Sequence, residues 1–359
     1  MKRFLVKAYR WEYFFLVLIV VVSLALHFGI ISQVKDLILD EQHYVKDARV
    51  IISEHQTDRP EHPPLGKLMI VAGMEIFGDN PWGWRFFPIM FGTVTVVLFY
   101  FLCRRLDLSR ETASIATFLL AFENLTFLQG SVAMLDVFFL TFMMAAFLLY
   151  MSRQYIASGF GIGLSALAKL DGALAAPIIF IHWLFSRQRR NWWFFLAAFF
   201  AVFAFVELMI PLDYIITRTF HNLADPLHRI QTMLQLTSSL TFANVTHPNL
   251  ERPWAWLITY NPMAYWIMPH YTAAISFSIW GLAFPSVGYM VYKAIKRSEA
   301  ALFGLSWFFG TWGVMSILSV LTNRASYPYY FYCTVGSICI GVAIFIGDLL
   351  SYFRRKQYG

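Results

Sequence analysis

The chain has 359 residues, of which 58% are hydrophobic and only 14% are charged. Soluble domains have roughly 25% charged residues, so this composition excludes an ordinary soluble protein and indicates an integral membrane protein. The net charge of +7 does not indicate nucleic-acid binding, because most basic residues stand in short clusters between apolar runs, as in cytoplasmic loops. We therefore expect an all-α polytopic protein in a lipid bilayer, with residues 1–359 forming one transmembrane domain.

A bilayer-spanning helix needs ~20 apolar residues, and about ten apolar runs approach this length. The first, residues 11–31, follows the basic sequence MKRFLVKAYR, which predicts a retained signal anchor with a cytoplasmic N-terminus. Both termini are expected in the cytoplasm, and two long loops, 33–85 and 211–270, are expected outside. The other spans are predicted near 86–102, 112–128, 137–150, 156–168, 172–185, 192–210, 271–292, 302–321 and 328–353.

The first outer loop, residues 33–85, is the longest polar segment near the start of the chain. We expect it to contain the catalytic site. Two amphipathic helices are predicted within it, at 41–53 and 65–77, lying in the membrane interface. The second of them follows a proline pair, which is favoured at a helix start. The second outer loop, residues 211–270, is expected to face the substrate.

Two adjacent acids, Asp40 and Glu41, precede the first of these helices. One interpretation is an acidic helix cap, which the helix dipole favours. The other is a general base whose neighbouring acid sets its pKa or geometry. His43 lies on the next turn and either tunes this pair or is solvated.

The segment EHPPLGK contains His62 and Lys67, and Arg85 follows at the start of the second span. His62 and Lys67 are candidates for binding the phosphate of a lipid-linked donor, although Lys67 also suits a side chain that reaches the lipid headgroups. Arg85 is either an interfacial anchor or a fixed phosphate ligand.

Ionisable side chains also occur near the predicted membrane boundary later in the chain. Lys169 and Asp171 lie between two apolar runs, and Asp136 lies in another. Charges at membrane depth are costly, so they are usually paired or functional. Lys169 and Asp171 either form an ion pair at a reversal between two short helices or bind the phosphate or sugar of the donor, and Asp136 has the same two interpretations. Arg324 is followed by an aromatic cluster that begins at Tyr327. This group suits either a membrane-interface belt or a headgroup site whose tyrosines line a sugar pocket.

No metal or other cofactor is expected to be required. The first outer loop has acids and histidines that metals use as ligands, but the sequence has no HExxH, no DxD and no regular ligand spacing. Its three cysteines show no CxxC spacing. A divalent cation remains the weaker alternative.

Several segments, in order along most of the chain, resemble the protein O-mannosyltransferase family. The acidic pair followed by HPPLGK is the most specific of these features. The similar segments are DEQHYVKDA, EHPPLGKLMI, GDNPWGWRFFPIMFGT, FENLTFLQGSVAMLDVFFL, GLSALAKLDGAL and HPNLERPWAWLI.

This resemblance implies a GT-C glycosyltransferase fold. It also implies transfer of mannose, or a similar sugar, from a dolichyl or polyprenyl phosphate to Ser or Thr hydroxyls of proteins, with inversion, on the extracytoplasmic face. By the same resemblance Asp40 is the catalytic base, Glu41 its partner acid and Arg85 the arginine associated with the donor phosphate. His62 corresponds to a phosphate-proximal residue in the related aminoarabinose transferases.

The chain departs from the eukaryotic members because neither outer loop has room for a MIR domain. A short form in the cell membrane of an archaeon or bacterium is therefore expected, rather than one in the endoplasmic reticulum. Two other functions stay open: transfer of the same kind of sugar to a lipid or cell-surface glycan, and transport of a lipid-linked sugar. An acidic pair on a surface loop argues against transport, because transport sites usually lie near the bilayer midplane. The oligomeric state is also open, with a homodimer or heterodimer among the options.

Overall fold

The computed structural model describes residues 11–186, 190–219 and 225–358. By length and composition, four helices in these ranges could cross a membrane, and four shorter apolar helices accompany them. The predicted helical, polytopic membrane architecture is therefore confirmed, while the predicted number of ten spans stays a prediction. The basic segment 1–10, which predicts a cytoplasmic N-terminus, lies outside the described residues.

The helices of the first half follow the predicted order. They are α1 (Phe14–Ile30), α2 (Glu41–Glu54), α3 (Pro64–Phe77), α4 (Pro81–Arg105), α5 (Arg110–Ala121), α6 (Asn124–Gln129), α7 (Asp136–Met151), α8 (Tyr155–Ala168) and α9 (Ala175–Phe185), the last preceded by a 3₁₀ turn at Leu170–Leu174.

The second half adds one small sheet to the helices. Its elements are α10 (Phe194–Thr217), α11 (Asp225–Ser239), α12 (Ala255–Ile258), β1 (Met263–Trp266), β2 (Tyr271–Ala273), α13 (Phe277–Gly281), α14 (Ala283–Ile295), α15 (Glu299–Phe308), a π turn at Phe309–Gly313, α16 (Val314–Thr322), a 3₁₀ turn at Pro328–Phe331, and α17 (Tyr332–Tyr358). The strands pair antiparallel. This hairpin is an exception to the predicted all-α fold.

Three predicted boundaries were wrong. The span expected at 112–128 is divided, because the Glu123 carboxylate accepts hydrogen bonds from the backbone N–H groups of Leu125 and Thr126 and starts a new helix. Helix α10 continues past residue 211 and ends where Arg218 adopts φ 55°. The second loop therefore begins near residue 218. In the span expected at 271–292, the long helix begins only at residue 283, because β2 and the short helix α13 come first.

Glycines allow close approaches between helix α3 of the first loop and α8, and between α8 and α7. A Cβ atom added to Gly66 in α3 would lie 2.5 Å from the carbonyl oxygen of Ala168, the last residue of α8. A Cβ atom at Gly161 would lie 3.0 Å from Ala146 of α7. Small residues allow helices to approach in this way. The result is that α3 sits against the end of α8, directly beside Lys169.

The second loop is attached to the turn between α16 and α17. Backbone hydrogen bonds join Phe242 to Asn323 and Ala325 to Leu240, each at 2.9 Å, and Glu251 donates to Ser326 at 3.0 Å. These bonds hold residues 240–251 beside the segment that contains Arg324.

Candidate active site

A cavity of about 470 Å³ lies where the first loop, the second loop and the turn before α17 meet. Its wall combines charged side chains with aromatic rings, a mixture suited to a sugar attached to a phosphate. The polar lining includes Asp40, His43, Arg59, Glu61, His62, Lys169, His247 and Arg324, and the aromatic lining includes Tyr44, Tyr327, Tyr329 and Tyr330.

Asp40 reaches this cavity from the start of α2. It occupies the N-cap position, but its side chain accepts no capping hydrogen bond, so the interpretation as an ordinary acidic cap finds no support. The Tyr329 hydroxyl instead donates to Asp40 Oδ2 at 3.1 Å. The preceding residue, Leu39, has φ 43°, a conformation that is rare outside glycine and is concentrated at functional sites. The local backbone thus turns this carboxylate toward the cavity.

Glu41 points the opposite way and is fully buried. Its carboxylate accepts backbone hydrogen bonds from Ile38 and Ala133, both at 2.8 Å. It also accepts two hydrogen bonds from Arg85, at 2.9 and 2.7 Å. The two adjacent acids therefore have different surroundings, and Glu41 does not line the cavity.

Arg85 also lies behind the cavity wall. Besides binding Glu41, its guanidinium donates to the carbonyl oxygens of Ile31 at 2.9 Å, Val34 at 2.6 Å and Asp36 at 3.0 Å. These bonds occupy all of the N–H donors of an arginine. The structure thus places Arg85 where it fixes the segment leading to Asp40, and Arg85 does not line the cavity. Its predicted contact with a donor phosphate stays a prediction.

Breaking the buried pair between Glu41 and Arg85 is expected to destabilise the protein. Glu41→Gln keeps the side-chain shape but leaves a buried arginine without its counter-charge, which typically costs ~3–5 kcal/mol. The matched control is Arg49→Gln, which removes the partly exposed ion pair to Asp79 in the same loop and should cost less than ~1 kcal/mol. Thermal unfolding in detergent compares the two variants, and equal losses would show that the buried pair has no special role.

Lys67 is buried, and its side chain holds part of the first loop in place. Its ammonium donates to Thr57 Oγ1 at 2.6 Å and to the carbonyl oxygen of Arg59 at 3.1 Å, and it lies 3.4 Å from Asp47 Oδ2. Burial lowers the pKa of Lys67 to about 8. Like Arg85, this predicted donor-binding residue does not line the cavity, and it holds residues 57–59 in place.

His62 does line the cavity, as predicted, with its ring edge-on to Tyr44. Burial, and then the positive charge of Lys169, lowers the pKa of His62 well below its ordinary value. The imidazole is therefore neutral at pH 7. His43 also reaches the cavity and accepts a hydrogen bond from Arg59. Arg59 was missed by the sequence analysis, since nothing in its neighbourhood distinguishes it from a solvated loop arginine.

Lys169, Asp136 and Asp171 form one cluster, in which Lys169 and Asp136 are buried and Asp171 is partly exposed. The Lys169 ammonium lies 2.9 Å from Asp136 Oδ1 and 3.4 Å from Asp171 Oδ2. It also lies 5.0 Å from the centre of the Tyr330 ring. Of these three residues, only Lys169 lines the cavity. Because Asp136 and Asp171 lie beside its ammonium, they largely neutralise its positive charge there. Asp171 instead lines a smaller pocket, to which Tyr330 and Arg324 also contribute.

Arg324 differs from the other cavity cations. Among residues 11–186, 190–219 and 225–358, no acidic side chain forms an ion pair with it. Its backbone is held by the pairing with Thr241. Arg252, in the ERPW segment, donates to Ser319 and Asn323 and braces the same turn. This leaves the half-buried Arg324 guanidinium available to an anion.

A further arginine, Arg229 of α11, connects the two loops. It donates to the backbone carbonyl oxygens of Pro60 and His62, the latter at 3.2 Å, and lies 3.6 Å from Asp213 of α10. Helix α11 and the residue after it contribute Thr237 and Leu240 to the cavity wall. The sequence analysis missed Arg229 because its acceptors are backbone atoms ~170 residues earlier in the chain, and backbone acceptors leave no signature in sequence.

In the described part of the chain, no group of three or more His, Cys, Asp or Glu side chains lies close enough to hold a metal ion.

The predicted site residues divide into two sets. Asp40, His43, His62, Lys169, Arg324 and Tyr327 meet at the cavity. Glu41, Lys67, Arg85, Asp136 and Asp171 form the ion pairs around it.

Comparison with known proteins identifies a family for this chain. Residues 17–221, more than half of the chain, match the family model described as dolichyl-phosphate-mannose-protein mannosyltransferase. A polyprenol-phosphate-mannose–protein mannosyltransferase of Mycobacterium tuberculosis is 32% identical over 173 residues, covering 46% of this chain and 33% of that protein. Its counterpart in Mycolicibacterium smegmatis is 36% identical over 116 residues, covering 31% and 22%. The matched segments thus span a third or less of these relatives.

Solved structures share the fold at low identity. ArnT from Cupriavidus metallidurans, bound to undecaprenyl phosphate, superposes with a TM-score of 0.66 at 19% identity, covering 92% of this chain and 60% of that one. The oligosaccharyltransferase of Archaeoglobus fulgidus gives a TM-score of 0.59 at 14% identity, covering 97% and 52%. These likenesses confirm the predicted GT-C fold, and the family match confirms the resemblance seen in the sequence. The chain belongs to the dolichyl-phosphate-mannose-protein mannosyltransferase family.

Proposed function

We propose that the chain transfers mannose, or a similar hexose, from a polyprenyl or dolichyl phosphate to a Ser or Thr hydroxyl of a protein. The central observation is that one cavity presents both the Asp40 carboxylate and the Arg324 guanidinium, and that Arg324 forms no ion pair with an acidic side chain among the described residues. Family membership and the activity for which the mycobacterial relatives are named support this choice of reaction. The structure of ArnT with undecaprenyl phosphate supports the donor class.

In the proposed step, Asp40 accepts the proton of the acceptor hydroxyl as that oxygen attacks the anomeric carbon. A new bond forms between the hydroxyl oxygen and the anomeric carbon, and the bond from that carbon to the phosphate oxygen breaks. The polyprenyl phosphate leaves with the bonding electrons. This single displacement inverts the configuration at the anomeric carbon. It requires that Asp40 lie on the side of the sugar opposite the phosphate.

The departing phosphate gains negative charge, and fixed cations stabilise charge that develops in a transition state. Arg324 is suited to this task because a guanidinium can bind two phosphate oxygens at once. Lys169 and Arg59 add positive charge to the same cavity, although each has an acidic neighbour. The neutral His62 can donate one hydrogen bond to the donor or acceptor without adding charge.

The residues behind the wall keep this arrangement fixed. Glu41 and Arg85 hold residues 31–41, so they set the position of Asp40 without touching substrate. Lys67 does the same for residues 57–59, and therefore for Arg59. Such packing of supporting residues is what keeps a catalytic group within its productive geometry.

We also propose that the cavity faces the extracytoplasmic side. Helix α4 begins at the first loop and, with 25 residues, extends ~38 Å to a last turn containing Arg104 and Arg105. Helix α8 ends at Ala168, next to the cavity residue Lys169, and begins two residues after Arg153. Basic residues concentrate on the cytoplasmic side of membrane proteins. The ends of α4 and α8 that lie away from the cavity carry these basic residues, so we assign those ends to the cytoplasmic side.

Transfer is expected to proceed without an added divalent cation, because Arg324, Lys169 and Arg59 already supply positive charge at the phosphate site. EDTA should change the initial rate by less than about twofold. Loss of an essential catalytic group would instead lower the rate by ~10²–10⁴-fold. A loss of transfer in EDTA that magnesium or manganese restores would contradict this expectation and show that a cation takes part.

The proposed function is tested by incubating the purified full chain with polyprenyl-phosphate mannose and three acceptors in parallel. These are a Ser/Thr-rich peptide, the same peptide with every Ser and Thr replaced by Ala, and a membrane glycolipid. Mass spectrometry should show one added hexose on the first peptide alone. Hexose on the glycolipid would favour the alternative acceptor. Donor that moves across a sealed vesicle without hexose transfer would favour transport.

A further inference from the structure

Asp40 has an unusual environment for an aspartate that precedes a helix. An acid at this position normally accepts a hydrogen bond from a backbone N–H of the first turn. Here that bond is absent, and the N-cap residue has a helical backbone conformation with φ −70° and ψ −9°. The carboxylate is instead bound by the hydroxyl of Tyr329, at 3.1 Å, from a segment almost three hundred residues later.

Tyr329 is itself held on several sides. It is 5% exposed, and it lies in the 3₁₀ turn Pro328–Phe331, where Pro328 restricts the backbone. Its ring is stacked on Tyr327 at 5.8 Å and lies edge-on to Tyr330 at 4.8 Å and to Tyr265 at 5.9 Å. Tyr265 is fixed in turn, because its hydroxyl accepts a hydrogen bond of 3.0 Å from the buried Gln129.

From this geometry, and resting on the function proposed above, we infer that Tyr329 is a positioning residue for Asp40. Its hydroxyl holds Oδ2, so Oδ1 is the oxygen that faces the acceptor hydroxyl. A carboxylate bound at one oxygen has one productive orientation, whereas a free carboxylate at this position would rotate or return to capping α2. Tyr329 acts through Asp40 and contacts neither the donor phosphate nor the transferred proton.

The test variant is Tyr329→Phe, which removes the hydroxyl and keeps the ring and its packing. Turnover should fall roughly 10- to 100-fold, as expected for losing a hydrogen bond to a charged group. Donor affinity should stay unchanged, because Tyr329 does not bind the phosphate. The matched control is Tyr289→Phe, which removes a hydrogen bond of 2.7 Å from a tyrosine to Asp348, far from the cavity. That variant should keep wild-type turnover.

A double-mutant comparison separates positioning from a general structural effect. In an Asp40→Asn background, Tyr329→Phe should change the remaining single-turnover rate by less than about twofold, because the group that it positions is no longer a base. The inference is overturned if Tyr329→Phe turns over like wild type. It is also overturned if the same loss persists in the Asp40→Asn background, or if donor binding falls in parallel with turnover. An inactive wild-type chain with every acceptor would instead refute the proposed function itself.

Discussion

Replacing Asp40 with asparagine is expected to reduce sugar transfer by ~10²–10⁴-fold, the contribution typical of a general base. Asparagine has nearly the same shape and can still accept the hydrogen bond from Tyr329, but its amide does not take the proton from an attacking hydroxyl. Donor affinity should change by less than about twofold, because the carboxylate lies opposite the phosphate in the proposed step. Initial rates with radiolabelled donor, together with equilibrium donor binding, measure the two effects separately.

The matched control for this variant is Asp36→Asn. Asp36 belongs to the same segment, but its side chain is exposed, so its replacement should leave the transfer rate unchanged. If Asp40→Asn retains near-normal turnover, Asp40 is not the base. If both variants lose activity equally, the loss reflects the charge or stability of the segment and gives no catalytic role to Asp40.

Replacing Arg324 with alanine is expected to weaken donor binding by roughly 10- to 100-fold, the effect of losing a hydrogen-bonded ion pair worth ~1.5–3 kcal/mol. The reason is that, among the described residues, Arg324 is the cavity arginine that forms no ion pair with an acidic side chain, whereas the ammonium of Lys169 lies 2.9 Å from Asp136. Arg324→Lys should recover only part of the affinity, because lysine keeps the charge but loses the two-pronged geometry of the guanidinium.

Arg49→Ala provides the comparison for Arg324→Ala. Arg49 is a partly exposed arginine of the first loop that pairs with Asp79 and does not line the cavity. Donor binding measured with polyprenyl phosphate alone, in the same detergent, should be unaffected by Arg49→Ala. An unchanged affinity in Arg324→Ala would place the phosphate elsewhere, with Arg59 and Lys169 as the remaining cations of the cavity.

Much of the fold could be predicted from the sequence because lipid imposes simple rules. Long apolar runs and basic clusters gave the order of the spans, and the proline pair gave the start of α3 to within one residue. The exceptions have local causes that composition does not reveal. Glu123 caps a new helix in the middle of an apolar run, and α10 continues through Pro211 because a proline inside a membrane helix is tolerated.

The site was predicted in part, because residue type indicates chemistry but not direction. Asp40 and Glu41 are neighbours in sequence, and only the structure shows that Asp40 reaches the cavity while Glu41 turns into the protein to bind Arg85. The same holds for Arg85, which donates three hydrogen bonds to backbone carbonyl oxygens that no residue type in the sequence identifies. The contact between Tyr329 and Asp40 joins two residues that are 289 positions apart in the chain. It depends entirely on how the helices pack.

The central claim is that one cavity binds the donor phosphate at Arg324 and the acceptor hydroxyl at Asp40. A structure of the purified chain with a non-transferable polyprenyl-phosphate sugar analogue tests it most directly. We expect the phosphate within hydrogen-bond distance of the Arg324 guanidinium, ~2.7–3.2 Å, with Lys169 nearby and the Asp40 carboxylate on the opposite face of the sugar. A phosphate bound outside this cavity, or on the same side of the sugar as Asp40, would contradict the proposed site.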